Sequence, residues 1–337
     1  MSISDARIRF AEYEDIPKLI TFLQGHAFQE NNLLSNMEYF KYYFVLCDGG
    51  HINFAIAQDD SGEIFGACGY VRSARSERFG IWTTLWGINK NTYGIHGIDL
   101  KRFVIEQSGA SYAACNNITA ITQSIYHRLG YITGKMKHYY RIADKEQYAF
   151  LDITDKRIET VTPNSYRLIP LTGLDELKER FALCDLHLRN PVKDWWYVER
   201  RYITYPWYQY NFYGIERPDG FVSAVLIGRI ITHEGRKMIR LVDCLGVVED
   251  LSYVGWELQK LMDDHDYEFI EFYCAGVDQQ IMKLAGFSLT DEGDVNIISS
   301  YLEPLKMISR DFYFYSTAKD NFMIFRADGD YDRKMFF

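Results

Sequence analysis

The chain has 337 residues, 47% hydrophobic and 25% charged, with a formal net charge of −9. That is enough for two ordinary globular domains, and it excludes an extended disordered chain. No run of about 18 apolar residues is present, so no transmembrane helix is expected, and the acidic balance without a basic run argues against a nucleic-acid partner. The N-terminal Met1–Arg7 lacks the basic-then-apolar pattern of a signal peptide. Six cysteines lie scattered at positions 47, 68, 115, 184, 244 and 274. They read as reduced thiols of a cytoplasmic protein, with no disulfide framework and no metal site.

In chain order, Arg7–Ala11 reads as a short strand, and Glu14-Asp15-Ile16-Pro17 opens a helix. Acidic residues suit a first helical turn, where proline is also tolerated. A second helix is expected over Asn36–Val45. A hairpin follows, with Phe54–Ala57 and Ile64–Val71 joined through Asp59-Asp60-Ser61-Gly62. Ile81–Ile88 is the fourth strand. A helix starts near Ile95, a strand spans Ser111–Cys115, a helix covers 118–129, and Tyr131–Ile142 is mostly strand.

The second half repeats this order, which implies an internal duplication. Tyr166–Ile169 and Leu174–Phe181 restate the first strand and helix, and Asn211–Phe221 restates Asn53–Glu63. Strand Met238–Leu245, helix Tyr253–Met262, strand Phe269–Cys274 and helix Val277–Ala285 follow. Gly286-Phe287 then stands where Gly130-Tyr131 stood. The polar stretch Asp152–Asn164 is the linker, which gives two domains, 1–155 and 156–337. Both are expected to be α/β (α+β), each a mixed, mostly antiparallel sheet flanked by helices.

Four features of the first half occur together in order: the Ile-Arg-Phe-Ala…Glu-Asp-Ile-Pro start, the hairpin, the loop Gly94-Ile95-His96-Gly97, and Tyr126-His127-Arg128-Leu129-Gly130-Tyr131. As a set they resemble the GNAT superfamily of acyl-CoA-dependent N-acyltransferases. The whole chain looks like tandem GNAT-like proteins of bacterial surface-polysaccharide and nonulosonate gene clusters. That narrower likeness is carried by Gly134–Tyr140, by Arg201-Tyr202…Pro206–Tyr210, and by Phe325–Arg333. The last departs from the related pattern at Tyr331 and Lys334.

The resemblance implies acetyl-CoA or another acyl-CoA as co-substrate. A tight loop entering a helix turns backbone N–H groups and the helix-dipole field toward a pyrophosphate. Asn91, Tyr93, Gly94, Ile95, His96 and Gly97 are placed for this, although His96 stands where a second glycine is usual. The fourth strand and the Cys115 strand are expected to splay, leaving main-chain groups of Trp86 and Gly87 to pair with the pantetheine amides. Asn116 and Asn117 either reach the cofactor or cap the following helix.

By resemblance, Tyr126 protonates the departing thiolate; a phenol with a pKa near about 10 is still a proton donor at neutral pH. No base is evident. His26, His96 and His138 are candidates, because histidine titrates in the useful range. His138 is preferred, since the strands after Gly130 line the acceptor side. His26, Asn32, Tyr139 and Trp207 are the expected acceptor-binding residues.

Trp195–Tyr213 holds ten aromatics in nineteen residues, an acceptor wall or an inter-domain core. In the second half Met282 replaces Tyr126, and Glu249-Asp250 falls where the pyrophosphate loop would be. Two carboxylates repel a pyrophosphate, so no second acyl-CoA site is expected. Asp328, Asp330 and Asp332 lack the spacing of a calcium loop. The resemblance implies an N-acyltransferase acting on an amino sugar, the expected partner being a small-molecule, nucleotide-linked amino sugar made for a surface glycan. The alternatives are aminoacyl transfer from charged tRNA and a non-catalytic binding protein with a decayed cofactor site.

Overall fold

The computed structural model describes residues 7–26, 34, 36–46, 50–89, 96–183, 189–290, 293–329 and 331–332. Among them, two large mixed sheets carry the fold. In the first, β1 (Arg7–Phe10), β2 (Phe54–Gln58), β3 (Ile64–Arg72) and β4 (Gly80–Ile88) run antiparallel in sequence order. β5 (Tyr112–Ile118) then joins β4 in parallel. After β6 (Ile132–Lys135) and β7 (Lys137–Ile142), a two-residue β8 (Leu151–Asp152) leads out of the first half.

The second sheet repeats the plan. β9 (Arg167–Leu171), β10 (Asn211–Glu216), β11 (Val222–His233) and β12 (Arg236–Gly246) are antiparallel, and β13 (Tyr267–Ala275) joins β12 in parallel. β14 (Ser288–Leu289) lies at the far edge. β15 (Ile297–Ile298) pairs β8, and β16 (Tyr301–Leu302) pairs β17 (Leu305–Lys306). β18 (Tyr313–Ser316) and β19 (Ile324–Phe325) end the series.

The two halves exchange a strand. β18, from the second half, lies between β5 and β6, with Tyr313 opposite both Ile118 and Lys135. β7, from the first half, lies between β13 and β14, with Tyr140 opposite Glu271 and Ser288. The expected strand Tyr131–Ile142 is therefore two strands of different sheets, broken at Met136. A division at residue 155 marks the duplication in sequence, whereas each sheet is completed by a strand from beyond it. Neither half satisfies its own sheet hydrogen bonds alone.

Local chemistry sets the element ends. Asn36 accepts from the Tyr39 amide and caps α2 (Met37–Phe44), which follows α1 (Ile16–His26). The hairpin between β2 and β3 is fixed by Asp59, whose carboxylate accepts from the Ser61 and Glu63 amides, with Gly62 at φ 76°. α3 (His96–Gln107) packs on β2 and β3. Its buried residues join Ala55, Cys68, Ile81 and Ala113 in one core. The opposite face of the first sheet, with Trp82, Leu85 and Ala114, shares a core with α1, α2 and second-half residues such as Tyr197, Tyr205, Phe212 and Val242. Each large apolar side chain buried there contributes about 1.5–3 kcal/mol.

The aromatic segment supplies much of this shared core. The Tyr205 hydroxyl lies 3.1 and 3.0 Å from those of Tyr39 and Tyr43, and Tyr42 donates to the Arg200 carbonyl. Trp207 sits edge-on to Tyr39 at 4.2 Å. Of the two readings of Trp195–Tyr213, inter-domain packing accounts for these contacts. No helix among the described residues is long and apolar enough to cross a membrane.

Candidate active site

β4 and β5 pair only at Gly80–Tyr112, Ile81–Ala113 and Trp82–Ala114. Beyond that point the two strands part. A bulge drives β4 away: two steps along β3, from Ala67 to Gly69, oppose three along β4, from Gly87 to Thr84. The extra residue, Leu85, takes a left-handed φ of 47°. A bulge of this kind bends the strand and ends its pairing. On the facing strand Asn117 is also left-handed, at φ 59°. Backbone in this region is costly for a residue with a Cβ and concentrates at functional sites.

The strands enclose a cleft of about 290 Å³, lined by Thr83–Trp86, Lys101, Cys115–Thr119, Thr122, Tyr126 and Tyr331. Tyr126 stands on α4 (Ala120–Arg128), whose N-terminus is capped by Thr119, not by either asparagine. Gly130, at φ 81°, turns the chain, and the Tyr131 amide donates back to the Tyr126 carbonyl at 3.2 Å. This glycine closure is what lets the helix end directly under the next strand. The Tyr126 ring is stacked on Tyr315 of β18 at 4.0 Å and tilted against Trp86 at 5.8 Å. Burial pushes its phenol well above the ordinary value, so it holds its proton at neutral pH.

The cleft has two unlike faces. Beside Tyr126 lie α3, Cys115 and Lys101. On the other face the C-terminal segment crosses the fork. Asn116 donates to the Phe325 carbonyl at 3.0 Å, and a Cβ on Gly329 would stand 2.9 Å from Trp82 Cβ. Tyr331 then reaches the cleft wall. A buried latch holds this segment: Lys193 Nζ lies 2.6 Å from Asp243 and 2.7 Å from Asp328. Asp332 accepts from Tyr210 at 2.8 Å and from Arg229 at 3.2 Å.

The structure thus brings Trp86, Asn116, Asn117 and Tyr126 together. Gly87 pairs with Ala67 on the outer side of β4, and Gly97 is buried with its carbonyl accepting from Trp86 Nε1 at 3.1 Å. Asn91, Tyr93, Gly94, Ile95 and Asn32 lie outside the described residues, as do the side chains of His26 and His96.

Three expected residues stand elsewhere. His138 does not line the cleft. β7 carries it into the second sheet, where it is buried, stacks on Tyr273 at 3.8 Å and pairs with Glu271 at 2.9 Å. Burial pushes its pKa down despite the glutamate. Tyr139, on the same strand, lies in the core of the second sheet. Trp207 lines a separate cavity of about 760 Å³ between β9, β10 and the Tyr202–Tyr213 segment, which shares no residue with the cleft.

Sequence reasoning missed Lys101, Thr83, Tyr315 and Tyr331. Lys101 falls on the α3 stripe Gly97, Leu100, Lys101 and Val104, all buried, and that helical spacing was the available signal. Tyr315 comes against Tyr126 only through the long-range pairing of β18 with β5, and Tyr331 reaches the cleft wall from the far end of the chain.

The second sheet has the same parallel fork, where β12 and β13 pair through Leu241–Phe272. Met282 and Gly286 repeat the helix closure, with the Phe287 amide donating to the Met282 carbonyl at 3.0 Å. This fork is filled by the chain itself. β19 pairs β13 at Cys274 and Ala275, and the Ala327 amide donates to the Val242 carbonyl. The expected repulsive carboxylate, Asp250, is instead neutralised by Arg217 at 2.6 Å. Among the described residues no group of three or more metal-ligating side chains is found.

No family model matches the sequence, and no characterised protein matches it at a significant level. Solved structures do. A GCN5-related N-acetyltransferase from Anabaena variabilis superposes with a TM-score of 0.53 at 13% identity, covering 92% of this chain and 72% of its own. The chain has the GCN5-related N-acetyltransferase fold. A conserved protein of Enterococcus faecalis, described as a probable N-acyltransferase, gives a TM-score of 0.54 at 10% identity, with 93% and 72% covered. Saccharomyces cerevisiae N-myristoyltransferase, solved with bound myristoyl-CoA, is more distant at a TM-score of 0.44 and 9% identity, with 94% and 83% covered.

Proposed function

We propose that this chain is an acyl-CoA-dependent N-acyltransferase that binds one acyl-CoA between β4 and β5 of the first sheet. The observation that carries this reading is the fork itself, with Tyr126 buried at its wall. Strands parted by a bulge present unpaired main-chain groups to a slender amide-bearing chain such as pantetheine. The His96–Gln107 helix then starts beside the end of β4, where its N-terminal dipole favours the pyrophosphate.

In the reaction an acceptor amine, having lost its proton, attacks the thioester carbonyl from the Tyr331 face. The carbon–nitrogen bond forms, the carbon–sulfur bond breaks, and Tyr126 delivers a proton to the sulfur. The second fork holds no acyl-CoA, because residues 322–328 occupy it.

The acceptor we propose is an amino sugar, nucleotide-linked, of a surface glycan. This rests on the likeness of Gly134–Tyr140, Arg201–Tyr210 and Phe325–Arg333 to tandem GNAT-like proteins. Screening acyl-CoA thioesters against amino-sugar nucleotides, with free thiol as the readout, tests it. Thiol release that needs both partners is expected. Acyl-CoA turnover with amines of other classes and none with amino sugars would reject the acceptor and leave the acyl transfer standing.

A further inference from the structure

Lys101 is buried in the cleft wall, 2% exposed, and among the described residues the charged or titratable groups acting on it are the Cys68 and Cys115 thiols, with no carboxylate. Its Nζ donates to the Thr83 hydroxyl and lies 3.9 Å from the Cys68 sulfur. It is ringed by three aromatic faces, at 5.5 Å from Trp86, 5.3 Å from Tyr126 and 5.2 Å from Tyr315. Thr83 in turn shares a 2.7 Å hydrogen bond with Tyr315, which stacks on Tyr126. Aromatic faces and a hydroxyl make a buried ammonium tolerable, but they do not repay its desolvation. A methionine would fill this place at less cost.

We propose that Lys101 is the counter-cation of the cleft, holding a positive charge against the negative charge that Tyr126 and the departing sulfur share during thioester cleavage. The inference rests on the acyl-transfer reading above. As the carbon–sulfur bond breaks, its electron pair goes to sulfur. The Tyr126 O–H proton follows, and the phenolate left behind is paired with the Lys101 ammonium. The proton lost by the acceptor nitrogen passes to water, and water returns one to Tyr126, so atoms and charge balance. Lys101 acts through Tyr126 and is a positioning residue.

The titratable groups facing Lys101 are the Cys68 thiol on β3, the Cys115 thiol on β5, the Tyr126 phenol on α4 and the Tyr315 phenol on β18; Tyr131 stands one ring further out. Burial pushes Cys68, Tyr126 and Tyr315 up and pushes Lys101 down. Of Cys68, Tyr126, Tyr315 and Lys101, the lysine alone is moved toward losing its proton at lower pH.

The test compares the wild-type chain with Lys101→Met and Lys101→Arg, reading acetyl-CoA affinity by calorimetry and kcat against pH. Wild-type kcat is expected to fall as pH rises through a value below lysine's ordinary 10.5. Lys101→Met is expected to bind acetyl-CoA normally, to lose on the order of a hundredfold in kcat and to lack that alkaline limb. Lys101→Arg is expected to recover much of the rate and to move the limb upward. A Lys101→Met enzyme within twofold of wild type with the same pH profile would overturn the proposal. So would a wild-type profile with no limb below 10.5, a result that holds even if the variants do not fold. Failure of the wild-type chain to bind any acyl-CoA would remove the acyl-transfer reading, and this proposal with it.

Discussion

Tyr126→Phe separates packing from chemistry. The side chain is 1% exposed, and its ring contacts are with Tyr315 at 4.0 Å, Trp86 at 5.8 Å and Tyr131 at 6.1 Å. A phenylalanine keeps every one of them. Among the described residues the hydroxyl has no hydrogen-bond partner, so its removal leaves no orphaned group behind. The stability change is therefore expected to stay within about 1 kcal/mol, because the net worth of even a formed hydrogen bond is of that size. Acyl-CoA affinity should be equally unmoved. Turnover has a different ledger. Loss of a positioned proton donor costs typically about a hundredfold or more, which is about 2.7 kcal/mol in the barrier. Thermal melting, calorimetry with acetyl-CoA and single-turnover thiol release together read the three quantities. A variant that melts and binds like the parent but transfers a hundredfold more slowly fits. Undiminished single-turnover chemistry would take Tyr126 out of its role, and a large drop in melting temperature would make it a packing residue.

Two further predictions follow from the packing between the halves and from the tail. Trp207→Ala is expected to lower stability by about 2 kcal/mol, below the roughly 3–5 kcal/mol of a fully buried aromatic, because its half-buried ring packs on Tyr39, Tyr42 and Tyr205. Acyl-CoA affinity should not change, and unaltered stability with a raised acceptor KM would restore the acceptor-wall reading of that segment. For Asp328, burial beside Asp243 outweighs the Lys193 ion pair and raises the carboxyl from 3.8 to about 6. The folded chain then holds this proton more tightly than the unfolded chain, so the contribution falls as pH rises from 3.8 to about 6. Asp328→Asn should remove that slope, measured as the wild-type minus variant difference in urea midpoints. The difference isolates it from Glu271, held down at about 2, whose contribution is lost at lower pH, between 4.5 and about 2. An identical slope in both proteins would refute the assignment.

What could be read from the sequence was what local chemistry enforces. Tyr126-x-x-Leu-Gly-Tyr announces a helix, a left-handed glycine and a strand, because the bonds that close it span five residues. The Asp59–Gly62 hairpin and its counterpart near Asp219-Gly220 are equally short-range. The duplication was visible because both halves keep these punctuation marks. The strand exchange was not, because β6 and β7 are separated only by Met136 and nothing local says that they enter different sheets. Their partners lie far along the chain, at Tyr313–Ser316 for β6 and Tyr267–Ala275 for β7. His138 was misplaced for that reason: a strand reading put it after Gly130 on the acceptor side, while register places it against Glu271. Lys101 was overlooked because a charged residue in a helix is read as solvated, although its neighbours at helical spacing are apolar. The second fork was expected to lack acyl-CoA through charge repulsion at Glu249-Asp250. In the structure Asp250 is paired with Arg217, and the chain's own segment lies in the slot.

The most direct test of the account is titration of the purified chain with acetyl-CoA by calorimetry. One site per chain is predicted, with heat from a single class of binding. Two equivalent sites would mean that residues 322–328 leave the second fork, and no binding at all would contradict the assignment of the β4–β5 cleft to an acyl-CoA.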